Sequence, residues 1–94
     1  MKISGLIWLE EIIQKLIQKH EVSQAEVRQV FANRPRFLFV EKGHRPGENV
    51  YSALGQTDAG RYLIIFFVHK QDSKALILSA RDMTKAERRK YGKK

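Results

Sequence analysis

The residues best suited to chemistry gather at the C-terminus. Arg81 to Lys94 carries seven Lys/Arg against two acids, Asp82 and Glu87, a balance of +5 within a chain total of +8. The cluster follows directly on a strand-like run, Ala75-Leu-Ile-Leu-Ser-Ala80. Arg81 therefore falls where a packed strand meets a short cationic helix. Such a place suits holding phosphates, because the strand end fixes one guanidinium and the helix supplies further charges. Arg61 falls at another strand end, and either arginine can present a rigid fork to a phosphate. The plainer alternative is a solvated basic tail, with each arginine in an ordinary salt bridge. A cap favours the positioned group: Thr84-Lys-Ala-Glu87 has the capping-box pattern, in which hydroxyl and carboxylate each satisfy an orphan amide. The helix it opens runs to about Tyr91 and has only Ala86 and the Tyr91 ring to bury. Lys85, Arg88, Arg89 and Lys90 surround them. A helix this polar contributes little to a core, so its defined start serves the basic side chains. Glu87 is first a cap partner for Thr84, but a carboxylate among arginines stays ionised and can accept a proton from a hydroxyl.

Other chemistries find less support. His20, His44 and His69 are scattered, without ligand spacing or an accompanying carboxylate cluster, so no metal site is expected. There is no phosphate-cradling glycine loop and no nucleophile elbow, and Gly55 and Gly60 read as turn or bulge residues. Trp8 heads an amphipathic helix, where a core role outweighs a ligand-stacking one. Cysteine is absent, which excludes disulfides and thiolate-bound zinc and fits a reducing, cytoplasmic setting. The longest apolar run, Tyr62 to Val68, is too short to span a bilayer, and Glu10, Glu11 and Lys15 interrupt the segment where a signal peptide would lie. With a net charge of +8, the expected partner is a polyanion: RNA, DNA, an acidic protein or anionic lipid.

These residues need a scaffold, and 94 residues supply one small domain, 1–94, with a single core. Leu9, Ile12, Ile13, Leu16 and Ile17 recur at helical spacing and predict a first helix of about three turns ending near Lys19-His20. A second helix begins at Ser23, since Ser23-Gln-Ala-Glu26 is another capping box flanked by Val22 and Val27 as a staple, and Pro35 closes it. Arg36 to Glu41 reads as a strand, and Lys42 to Glu48 as an exposed loop. Asn49–Gln56, Arg61–Lys70 and Lys74–Arg81 then follow on short turns, with Gly60 available for a positive φ. Tyr62 to Val68 is apolar on both faces and predicts a central strand. The expected fold is α+β: two N-terminal helices on a four-stranded antiparallel sheet, plus the short basic C-terminal helix.

Lys19-His-Glu-Val22, Val30-Phe31, Gly55-Gln-Thr57 with Gly60-Arg61, and Ile77-Leu-Ser-Ala-Arg81 with Thr84-Lys-Ala-Glu-Arg88 and Tyr91 together resemble the BrnT family. The resemblance extends over nearly the whole chain and is most specific in the closing Ser-Ala-Arg…Thr-x-x-Glu-Arg…Tyr pattern. It implies a toxin of a bacterial type II toxin–antitoxin pair with a RelE-like fold. The implied activity is a metal-independent endoribonuclease with no cofactor, in which the 2′-hydroxyl attacks the adjacent phosphate. The implied partners are a cognate, DNA-binding antitoxin and RNA, with operator DNA reached only through the antitoxin and no membrane. Carried over by residue, Arg61, Arg81 and Arg88 would hold the phosphate, and Lys19, His20, Glu87 or Tyr91 would transfer protons. Trp8 would offer a stacking surface, while Lys85, Arg89 and Lys90 would bind RNA. Leu9, Ile12 and Leu16 stand where polar residues are common in the family, and Asp82 where a basic or small residue is expected. The first makes the helix more apolar, the second the site less positive. The alternative from another class is a module that binds RNA or an acidic protein without chemistry.

Overall fold

A computed structural model of the chain describes residues 1–92. A short strand β1 (Gly5–Ile7) leads into α1 (Glu10–Lys15), which continues as a π-helical turn, Leu16–His20. Then come α2 (Gln24–Ala32), β2 (Arg36–Arg45), β3 (Glu48–Gln56), β4 (Tyr62–His69), β5 (Lys74–Asp82) and α3 (Lys85–Gly92). The strands form one sheet in the order β1-β5-β4-β3-β2, antiparallel from β5 through β2. The expected α+β arrangement of two helices, a meander and a basic terminal helix is present. One strand was not expected: β1 adds to β5 in parallel, with Gly5 opposite Lys74 and Ile7 opposite Leu76, making five strands rather than four. Three residues are too few to show a two-residue period.

The expected loop Lys42 to Glu48 is corrected as well. β2 continues to Arg45 and β3 starts at Glu48, so only Pro46-Gly47 turns the chain. Pairing across this hairpin is irregular, with register shifts between Phe39 and Glu41 and between Glu41 and Arg45. Charge and glycine content hid a ladder that bulges tolerate. Gly43 is required there, because any Cβ would collide with the Glu48 carbonyl.

The core lies between the helices and one face of the sheet. Leu63, Ile65 and Phe67 alternate along β4 and are fully buried with Leu16, Val22, Val27 and Val30. Burying each such side chain stabilises the fold by about 1.5–3 kcal/mol. Phe31 and Phe37 meet Phe67 edge-on, at 5.4 and 5.8 Å between ring centroids. Ser23 closes its capping box as expected: its hydroxyl accepts from the Glu26 amide at 3.1 Å, and Glu26 accepts from the Ser23 amide at 3.0 Å. Between the π-helical turn and α2, Glu21 takes a left-handed conformation, φ 52°, and the Val22 amide reaches back to the Leu16 carbonyl at 3.1 Å. The chain thereby makes a tight corner whose His20 and Glu21 carbonyls accept from Arg61. Gly60 takes the positive φ expected of it, 88°.

The opposite face of the sheet carries α3. Beneath that helix a second, smaller cluster forms from Leu54, Ile64 and Met83, with Leu38, Tyr62, Phe66 and Tyr91 packed against it.

Candidate functional site

α3 starts at a complete capping box, as its sequence predicts. The Thr84 amide donates to Glu87 Oε1 at 2.8 Å, and the Glu87 amide donates to Thr84 Oγ1 at 3.2 Å. Arg81, at the end of β5, then grips Glu87 with both prongs, Nη1 to Oε1 at 2.8 Å and Nη2 to Oε2 at 3.0 Å. That paired hydrogen bond is the main reason the Glu87 carboxyl is lowered to about 2, with burial opposing and the Thr84 amide assisting. A carboxylate held so low is a poor proton acceptor at neutral pH, which counts against Glu87 as a general base. Both prongs of Arg81 are likewise engaged, and its guanidinium lies 5.6 Å from the Phe66 ring centroid. On the far side of α3, Arg36 Nη1 donates to the Lys90 carbonyl at 2.8 Å. Of the two residues expected to be buried by this helix, Tyr91 is half-buried and packs against the smaller cluster, whereas Ala86 is exposed.

An open cleft of about 860 Å³ lies between α3, the start of β2 and the adjoining ends of β3 and β4. Arg34, Arg36, Arg88 and Arg89 line it, together with Gln56 and the rings of Tyr62 and Tyr91. The Arg88 guanidinium sits over Tyr62, 4.1 Å from the ring centroid, and Tyr62 meets Tyr91 edge-on at 6.1 Å. Stacking holds Arg88 while its N–H groups make no hydrogen bond among the described residues, which suits a phosphate. The side chains of Arg34, Arg88 and Arg89 make no hydrogen bond or ion pair among the described residues. No Asp, Glu or His lines this cleft.

Arg61 lies elsewhere and is fully occupied. Its Nε donates to Asp82 Oδ1 at 2.8 Å, and Nη1 donates to Glu26 Oε2 at 3.0 Å and to the Glu21 carbonyl at 2.8 Å. Nη2 donates to the His20 carbonyl at 3.0 Å and to Asp82 Oδ2 at 3.3 Å. Those five bonds use every donor of a guanidinium, so nothing remains for a phosphate. Asp82, Glu26 and burial set the balance at Arg61, whose pKa is raised, chiefly through the Asp82 bond. Asp82 is lowered, first through that same bond and also by the nearby His20. Burial pushes Glu26 up, but the Ser23 amide and Arg61 outweigh it and leave the carboxyl lowered. Asp82 thus serves as the partner of Arg61.

The expected site residues separate into groups. Arg88, Arg89 and Tyr91 share the cleft; Arg81 and Glu87 form the clasp at the side of α3; Arg61 and the His20 backbone form the corner beyond it. Lys19 is exposed at the end of the π-helical turn, and neither it nor His20 lines the cleft. Trp8 is half-buried and packs against the main core. Lys85 and Lys90 are exposed on α3. Lys93 lies outside the described residues. Sequence reasoning missed Arg34 and Arg36; the signal for them was their place on either side of Pro35, where a left-handed Arg34 (φ 52°) turns α2 into β2. Among the described residues no group of three or more His, Asp or Glu is placed to hold a metal ion.

No curated protein sequence matches the chain. A family model does: residues 8–87 match the family described as the ribonuclease toxin, BrnT, of type II toxin–antitoxin systems. The match covers most of the 94 residues, and the chain belongs to that family. The matched segment ends at Glu87 and does not include Arg88, Arg89 or Tyr91.

Proposed function

We propose that this member of the ribonuclease toxins of type II toxin–antitoxin systems binds the RNA backbone in the cleft beside α3 and cleaves it there as a metal-independent endoribonuclease. The observation that supports this reading is Arg88, stacked on Tyr62 with no ion pair among the described residues, in the lining of a cleft that holds three further arginines. In the reaction the 2′-oxygen bonds to phosphorus, the P–O5′ bond breaks, and a cyclic phosphate and a 5′-hydroxyl remain. The 2′-hydroxyl gives up a proton and the departing 5′-oxygen takes one.

Arg88 and its neighbours stabilise the charge that grows on the phosphoryl oxygens, the largest contribution in such sites. The Tyr91 hydroxyl is the proton donor to the leaving oxygen, because Tyr91 is the expected proton-transfer residue that lines the cleft. With no carboxylate or imidazole there, the 2′ proton passes to solvent. Arg81 and Glu87 place α3, and Arg61 holds the corner behind it. The antitoxin is the protein partner, itself DNA-binding, and operator DNA is reached through it. No described helix is long and apolar enough to cross a membrane, and a toxin acting on RNA would work in the cytoplasm.

The deciding experiment is incubation of purified, antitoxin-free protein with unstructured RNA in excess chelator. Fragments ending in cyclic phosphate are expected. Intact RNA under every salt condition would remove the catalytic proposal. One observation favours a second reading, binding without chemistry: the cleft lacks a carboxylate or imidazole base. Retained RNA affinity with unchanged substrate would establish it.

A further inference from the structure

α3 covers only one end of its face of the sheet. Further along, Leu38, Phe66, Val68 and Leu76 remain half-buried and Leu78, at a bulge between β4 and β5, is 36 % exposed. The strand pairs Val50–Val68 and Val68–Leu76 continue this apolar surface across three strands. Next to it lies a groove of about 440 Å³ with Leu78 in its wall. One of its two acids is already satisfied: Glu48 accepts from Lys70 Nζ at 2.8 Å and from the Gln71 amide at 3.2 Å. Of the remaining charged residues that line the groove, Lys42 and Arg45 are cationic and Glu41 alone is acidic. An apolar strip with a cationic rim, on a chain of net charge +8, is what an amphipathic, acid-flanked segment fits.

We propose that this open sheet face is where the antitoxin docks, laying an apolar row on Phe66, Val68 and Leu78 with carboxylates against Lys42 and Arg45. The proposal rests on the toxin reading, which supplies the partner. It also supplies a route to inhibition. Arg81 borders the strip through its contact with Phe66 and holds Glu87 of α3. A partner on the strip therefore touches the clasp that positions the arginine-lined cleft, and a partner carboxylate can compete with Glu87 for Arg81.

The test is titration calorimetry of the full chain with its purified cognate antitoxin. Leu78→Glu buries a charge in the contact and should weaken binding about thirty-fold or more, the scale of a hot spot. Ile17, 49 % exposed on the helical side, provides the control: Ile17→Glu should change affinity by less than about twofold, the range of residues outside a hot spot. The double rim variant Lys42→Glu/Arg45→Glu replaces surface residues only, so it should fold normally and still slow association at low salt. The Leu78→Glu protein should cleave RNA as the unmodified protein does and resist inhibition by the antitoxin. Unaltered binding by both the Leu78 and the rim variants, or loss on Ile17→Glu instead, would overturn the assignment. Self-association of the unmodified chain in sedimentation, abolished by Leu78→Glu, would overturn it too, by giving the face to a second copy. If the unmodified chain binds no antitoxin at all, the toxin reading itself falls and takes this proposal with it.

Discussion

Arg36 and Arg81 stand at opposite ends of one cross-strand row, Arg36–Leu54–Ile64–Arg81, and each holds α3. Arg36 binds the Lys90 carbonyl near the end of the helix, and Arg81 binds the Glu87 carboxylate near its start. Leu54 and Ile64, between them, form the floor on which Tyr91 packs. A helix with little apolar surface of its own is thus fixed by two guanidiniums whose spacing the sheet sets. The arginine-lined cleft depends on that placement, since Arg88, Arg89 and Tyr91 all belong to α3.

Acid should loosen this helix in a defined window. Glu87 falls from an ordinary 4.5 to about 2 because Arg81 stabilises its charged form. A lowered carboxyl contributes stability that is fully present above its ordinary value and is lost as pH falls from there through about 2. Glu87→Gln should therefore lose about 1 kcal/mol at pH 7, since solvent reaches the pair and limits it to the upper range for surface bridges. The difference from the unmodified protein should shrink below pH 4.5 and vanish near pH 2. Thermal unfolding of both proteins across that range measures it, and a constant difference would count against the clasp.

Arg61→Ala should act on stability before it acts on chemistry. It strands two backbone carbonyls, of His20 and Glu21, and leaves Glu26 and Asp82 without their cation. Unsatisfied groups of this kind cost about 1–3 kcal/mol each when buried, and these are only partly so, so a total of about 2–3 kcal/mol is expected. Arg61→Lys should recover little, because an ammonium cannot reach four partners in one plane. Urea denaturation gives the stability change. Turnover per folded molecule separates a staple from a phosphate ligand: near-normal turnover is expected, and loss of activity in a fully folded variant would return Arg61 to the site.

The scaffold was legible because its signals are local. Two capping boxes, a helical apolar stripe and an apolar central strand each identify an element without reference to the rest of the chain, and Ser23, Thr84 and Tyr62–Val68 all do what their patterns imply. The cleft was less legible because its parts meet only through sheet order. Arg36 and Arg81 lie far apart in sequence and share a row through the pairings of β2, β3, β4 and β5. Arg61 and Arg81 both end or precede strands and look equivalent in the sequence. The fold sends one to a corner of carbonyls and the other to the flank of α3. Asp82 looked like a weakening of the site until its partner, Arg61, was in place.

The pH profile of cleavage tests where the protons go. With Tyr91 as donor and no carboxylate or imidazole in the cleft, the rate should rise with pH through the neutral range without an acidic limb set by histidine. Tyr91→Phe should slow cleavage by about a hundredfold, the lower bound for a positioned proton donor, with RNA affinity nearly unchanged. A profile that bends near the ordinary histidine range, and straightens in His20→Gln, would move proton transfer to the corner behind α3.

Arg88 is the residue on which the phosphate site stands or falls. Its guanidinium is stacked on Tyr62 with no ion pair among the described residues, whereas Arg81 is clasped to Glu87 and Arg61 is saturated. Arg88→Ala should cost about 2.7–4 kcal/mol of barrier, about a hundred- to a thousandfold in rate, and leave the thermal midpoint close to that of the unmodified protein because Arg88 is exposed. Arg88→Lys should fail to restore the rate, since a lysine neither stacks flat on Tyr62 nor forks onto two phosphoryl oxygens. Lys85→Ala is the contrast: an exposed charge on the same helix but outside the cleft, it should weaken RNA binding slightly and reduce the salt slope by about one counterion. Single-turnover cleavage at saturating protein, with RNA affinity measured over a salt series, distinguishes the two effects. Equal losses of turnover for Arg88→Ala and Lys85→Ala would mean that diffuse charge, not a placed guanidinium, draws RNA to this surface.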